Sequence, residues 1–91
     1  MACYVDTPYR AGNKPGWCHL VTDGDIAELH EFAAALGLKR SYFQPLPPHY
    51  DISASKRAMA ITRGAIEVKR KQLASIVSQA TALRLKEVAD D

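Results

Sequence analysis

Apolar residues recur along this chain with two different periods, and the change from one to the other divides it into elements. Ile26, Leu29, Ala33 and Leu36 fall on one stripe at helical spacing, with Glu28, Glu31 and Ala35 away from it. Thr22 or Asp23 supplies a short side-chain oxygen for the first-turn amides. Gly37 followed by Leu38 suits a left-handed ending with a hydrophobic contact. The pattern predicts a helix over about 24–36. Immediately before it, residues 17–22 alternate, so that Trp17, His19 and Val21 share one face and Cys18, Leu20 and Thr22 the other. Residues 2–6 read as a strand closed by Thr7-Pro8, and residues 7–16, with Arg10 and Lys14, as a basic, turn-rich loop. Residues 39–44 suit a third strand, after which Pro45, Pro47 and Pro48 predict a stiff, extended connection into His49-Tyr50-Asp51. Ser53 caps a helix over about 54–63 that stops at Gly64, and residues 65–68 suit a fourth strand. A last helix over about 71–88 aligns Leu73, Ile76, Val77, Ala80 and Leu83.

This order predicts an α/β or α+β fold with a small mixed, partly parallel sheet of three to four strands. Residues 1–68 form the expected compact domain, and residues 69–91 a C-terminal helical extension with a frayed end. The helix over 71–88 has no strand after it. It either folds back to complete the core or pairs with a second copy as a homodimer.

Composition narrows the class without choosing a function. The 91 residues are 47% hydrophobic and 24% charged, which is ordinary globular usage. No apolar run approaches the roughly 18–20 residues of a membrane span, and the start lacks a basic-then-apolar leader. The expectation is a soluble, cytoplasmic chain with no membrane partner. Cys3 and Cys18 form no CxxC pair and read as reduced, buried thiols. A net charge of +2 is little drive toward nucleic acid, although the Lys69-Arg70-Lys71 run keeps that partner in view. GxGxxG, GxxxxGK, GxSxG and zinc-finger spacings are all missing.

The chemistry-bearing residues cluster at predicted strand ends. In open parallel sheets ligands bind beyond the carboxyl ends of strands, which brings forward Asp6, Asp23 and the His49-Tyr50-Asp51 segment. Asp6, Asp23 and Asp51 are the candidate metal ligands, since a hard cation such as Mg²⁺ takes oxygen ligands of this kind. Asp6, His49 and Asp51 are the candidate catalytic set, with His49 as general base held by a carboxylate. Both aspartates outside the segment equally suit the plain task of ending an element. Trp17 and His19 on one strand face form a stacking platform beside a hydrogen-bonding ring, suited to a base or sugar. Tyr50 is grouped with them as ligand-binding. Lys56 and Arg57, in the first turn of the second helix, suit an anion. His30, at the edge of the first helical stripe, reads as a packing residue.

Tyr4-Val5-Asp6, Trp17-Cys18-His19-Leu20 with Asp23, Leu29-His30, Phe32-Ala33 and Leu36-Gly37-Leu38 form an ordered set of short motifs. Tyr42-Phe43-Gln44, His49-Tyr50-Asp51-Ile52, Ser55-Lys56-Arg57 and Gly64-Ala65 continue it. Over residues 2–68 this set resembles the domain-of-unknown-function family numbered 4031. The resemblance implies a short bacterial or phage product, hence a phage or prophage accessory protein; its small size, the missing catalytic motifs and the extra C-terminal helix add the expectation that it binds a host or phage protein. The resemblance implies no activity. The residues themselves support an alternative, a phosphate- or nucleotide-binding or metal-assisted hydrolytic domain with its site at Asp6, Asp23, His49 and Asp51. Direct nucleic-acid binding is the third expectation.

Overall fold

The structure, a computed structural model, describes residues 2–8 and 16–90, of which 87–90 as backbone only. Most of the expected basic loop, with Arg10 and Lys14, and the terminal Asp91 lie outside the described residues. Five strands form one sheet: β1 (Cys3–Val5), β2 (Trp17–Thr22), β3 (Phe43–Pro45), β4 (Pro48–Ser53) and β5 (Ile66–Glu67). Three helices accompany it, α1 (Ile26–Ala35), α2 (Ala54–Thr62) and α3 (Arg70–Asp90). The strands lie in the order β3-β4-β2-β1-β5. Among the described residues only the β1–β5 pair is parallel; β1–β2, β2–β4 and β3–β4 are antiparallel. The fold is therefore mixed α/β, as expected, with one more strand than the sequence patterning revealed.

The extra strand comes from the proline-rich segment. Residues 45–48 form a tight hairpin in which Pro45 pairs with Pro48, and His49-Tyr50-Asp51 lies inside β4. A proline at the first residue of a strand, beside an edge partner, leaves no interior ladder bond unmade. The expected extended connection is thus a reversal of direction. Residues 40–42 form a short 3₁₀ turn, so the third strand begins only at Phe43.

Alternation along β2 sends Cys18 and Leu20 to one face, where they join Val5, Leu29, Ala33, Leu36, Tyr50, Ile52 and Ala60 in the core beneath α1 and α2. Each fully buried Leu or Ile contributes about 1.5–3 kcal/mol by leaving water. The N-cap of α1 is Asp25, without a side-chain bond. Thr22 and Asp23 are occupied elsewhere: the Thr22 hydroxyl donates to the Ala2 carbonyl and accepts from the Gly24 amide. The α1 ending follows the sequence, with Gly37 at φ +80° and the Leu38 amide donating to the Ala33 carbonyl at 3.0 Å. Ser53 caps α2 by accepting from the Lys56 amide.

The second face of the sheet is covered by α3. Val21 is buried there, and Leu73 and Ala80 are the buried positions of the helix. Arg84 fastens its far half, donating to the Gly24 carbonyl at 2.5 Å. The stripe, which the sequence offered either to the core or to a second copy, is therefore partly core, while Leu83 and Leu85 stay exposed. Among the described residues no helix is long and apolar enough to cross a membrane.

Candidate functional site

Antiparallel pairing decides which polar residues meet. Val5 pairs with Leu20, so the chain leaving β1 carries Asp6 alongside His19. In the opposite direction His19 pairs with Asp51 of β4, and His49 stands two residues earlier on the same face of that strand. Four polar side chains, two from β4, one from β2 and one just past the end of β1, thus gather on the face that α3 partly covers.

Asp6 is wholly buried and fully engaged. One carboxylate oxygen accepts the His19 amide at 2.7 Å, and the other lies 2.8 Å from His19 Nδ1. A carboxylate there takes the Nδ1 hydrogen and leaves the lone pair of the neutral ring on Nε2. His49 is arranged in parallel: its Nδ1 lies 2.6 Å from the Pro47 carbonyl. A carbonyl only accepts, so Nδ1 carries a hydrogen here too, and in the neutral ring the lone pair is on Nε2. Both Nε2 atoms face Oδ1 of Asp51, at 3.7 Å from His19 and 3.3 Å from His49. The other oxygen of Asp51 accepts from Gln44 Nε2 at 2.6 Å. The two rings stand edge to face, 5.3 Å apart.

One ligand atom from each of His19, His49 and Asp51 lies within 4.8 Å of the other two. Ligands about 2.1 Å from a common tetrahedral ion stand about 3.4 Å apart, so small side-chain adjustments bring these atoms onto one cation. Each ligand is also held from behind, by Asp6, Pro47 or Gln44. This is the outer support that fixes tautomer and orientation in metal centres. Two imidazoles and one carboxylate suit Zn²⁺, Mn²⁺ or Fe²⁺ far better than the all-oxygen set expected for Mg²⁺.

The group opens on two clefts. One, of about 550 Å³, runs between the sheet and α3, with His19, His49 and Val21 facing Leu73, Val77 and Thr81. The other, of about 540 Å³, lies at the end of the sheet and is lined by Trp17, Tyr42, Gln44, Asp51, Ser53 and Lys56.

Several expected site residues go elsewhere. Asp23 stands at the opposite end of β1 from Asp6, because β1 and β2 run in opposite directions. Its carboxylate accepts from the Ala2 amide at 2.7 Å and the Tyr4 hydroxyl at 2.9 Å. These bonds, the amide first, hold its pKa below the usual carboxylate range. Among the described residues it joins no group of potential metal ligands. Asp6 stands behind His19 rather than in the ligand set. Tyr50 points to the other face, buried, with its hydroxyl 2.8 Å from His30 Nδ1. Burial lowers the pKa of His30 and raises that of Tyr50. Arg57 donates to the Asp6 carbonyl at 2.8 Å and to Glu67 at 2.9 Å, and so braces the β1 end rather than offering itself to an anion. Lys56 donates to the Leu36 carbonyl at 2.6 Å while still lining the second cleft. The sequence reading missed Gln44 and the Pro47 carbonyl. The signal for both was the proline pair, which closes a hairpin and sets Gln44 opposite His49.

A family described as a protein of unknown function, DUF4031, matches residues 3–80. The match continues past the motifs that ended near residue 68 and takes in the first half of α3. No curated protein and no solved structure matches the chain.

Proposed function

The chain belongs to the DUF4031 family, and we propose that this member is a metal-dependent domain of hydrolytic type, with His19, His49 and Asp51 as ligands. One observation carries the reading: three potential ligand atoms converge from β2 and β4, and each side chain is fixed from behind by a hydrogen bond at an atom other than the one that would ligate. Three protein ligands leave coordination positions open, the mark of catalytic rather than structural sites. A cation held this way supplies an acidified water and polarises a substrate oxygen. His49, expected as a general base, acts in this reading as a ligand, and Asp6 as the residue that orients His19.

Docking on a host or phage protein has one supporting observation, the exposure of Leu46 at the hairpin tip and of Leu83 and Leu85 on α3. Single exposed apolar residues are common on monomers and need no partner. The metal reading therefore stands first.

Calorimetric titration of chelator-dialysed protein tests it. Zn²⁺ and Mn²⁺ are expected to bind one per chain and Mg²⁺ much more weakly, and His19→Ala with His49→Ala to abolish the site. Undiminished stoichiometric binding by that double variant, or no binding by the natural chain, refutes it.

A further inference from the structure

The sheet-end cleft is left without a task by the metal reading, yet it shares a wall with the ligand set. Asp51 and its partner Gln44 line this cleft together with Trp17, Tyr42 and Lys56. Trp17 and Tyr42 are 53% and 51% exposed. Trp17 lies on the same face of β2 as His19 and two residues away, about 7 Å along the strand. Its partner across the strands, Ser53, stands next to Asp51 on that face in the same way. A flat aromatic surface therefore lies one short spacer from the proposed metal position. The Lys56 ammonium, 2.6 Å from the Leu36 carbonyl, adds positive charge to the cleft wall.

A ligand matching this layout carries a planar ring at one end and an anionic, metal-seeking group at the other, with one small polar unit between. Ring stacking tolerates any base because every base has a π-face. We propose that the cleft is a nucleotide site, with the base on Trp17 and the phosphate on the metal held by His19, His49 and Asp51. This rests on the metal reading and names its substrate class. A free nucleotide and the terminal nucleotide of a single strand share this chemistry.

Trp17 is the only tryptophan of the chain, so its fluorescence reports the cleft directly. The zinc-loaded protein is titrated with adenosine 5′-monophosphate, with ribose 5-phosphate and with adenosine. The nucleotide is expected to quench Trp17, removal of the ring to weaken binding about tenfold or more, the scale of one lost base–aromatic stack, and removal of the phosphate to make binding independent of the metal. Calorimetry on Trp17→Leu is expected to show a similar loss, with zinc titration of the same variant as the check on folding. A short oligothymidylate, titrated over rising salt, separates the sources: tighter binding with a steep salt slope assigns a strand end. Ribose 5-phosphate binding as tightly as the nucleotide overturns the base site. Zinc binding without any nucleotide binding overturns it too and leaves the metal reading standing. Failure to bind zinc overturns both.

Discussion

Asp6→Asn is the most discriminating change in this molecule, because it alters one atom and reverses one hydrogen bond. In the natural chain two donors point at the Asp6 carboxylate, the His19 amide at 2.7 Å and His19 Nδ1 at 2.8 Å. The backbone amide cannot change its role, so the single carbonyl oxygen of an asparagine must stay with it. The new NH₂ group then faces Nδ1 and needs an acceptor there. The ring can comply only by moving its hydrogen to Nε2, the atom that would otherwise bind metal. Loss of such outer support costs about 10–100-fold in metal affinity, or about 1.4–2.8 kcal/mol. Asp6→Ala behaves differently. It orphans the buried amide, at a cost of about 1–3 kcal/mol of stability, but imposes no tautomer. The expected order is therefore crossed: Asp6→Asn is the poorer metal binder and Asp6→Ala the less stable protein. Zinc competition against a chromophoric chelator measures the first quantity and urea unfolding in chelator the second. Nitrogen NMR of the His19 ring reads the tautomer itself. Equal zinc affinity for Asp6→Asn and the natural chain, with His19→Ala impaired, refutes this account of the site.

Burial pushes the Cys3 thiol up to about 11 and the Cys18 thiol up to about 12, from an ordinary 9.0. The unfolded chain releases these protons first, so stability is expected to be full below about pH 9 and to fall as pH rises through 11 toward 12; urea midpoints across that range check it, and Cys18→Ala should flatten the decline. Both thiols are also expected to resist alkylation at neutral pH in the native state and to react on unfolding. Asp23 has the opposite sign: its depressed pKa gives stability that is present above the ordinary 3.8 and is lost as pH falls through the lowered value, a slope that Asp23→Asn should reduce. Leu73→Ala, at a buried position of α3, is expected to cost about 2–3 kcal/mol independently of protein concentration; a concentration-dependent midpoint would point to the dimer instead.

Local periodicity made the elements of this fold readable, while their partners stayed hidden. The α1 stripe with its Gly37 ending and the alternation of 17–22 are properties of short windows, and the structure reproduces both. Strand direction is not such a property. The chain order of strands and helices suggested crossovers between parallel strands, yet the tight 45–48 hairpin and the β1–β2 pairing run antiparallel. Proline there was read for its stiffness, when its fixed φ also lets it close a turn between paired strands.

The candidate site was half legible for the same reason. Asp6, His19, His49 and Asp51 were all named from the sequence, but His19 for the strand face it shares with Trp17 and the other three under a rule for parallel sheets that gathers strand ends on one edge. Antiparallel pairing replaces that edge with a register: position 19 lies opposite 51, and 6 lies beside 19. The replacement keeps these four together and moves Asp23 to the far end of β1, where it ties down Ala2 and Tyr4. It also divides the His49-Tyr50-Asp51 triplet. Neighbours on a strand point to opposite faces, so His49 and Asp51 meet His19 on one face while Tyr50 enters the core on the other. Any site built on a strand recruits alternate residues of a segment, and the residues between them serve the core.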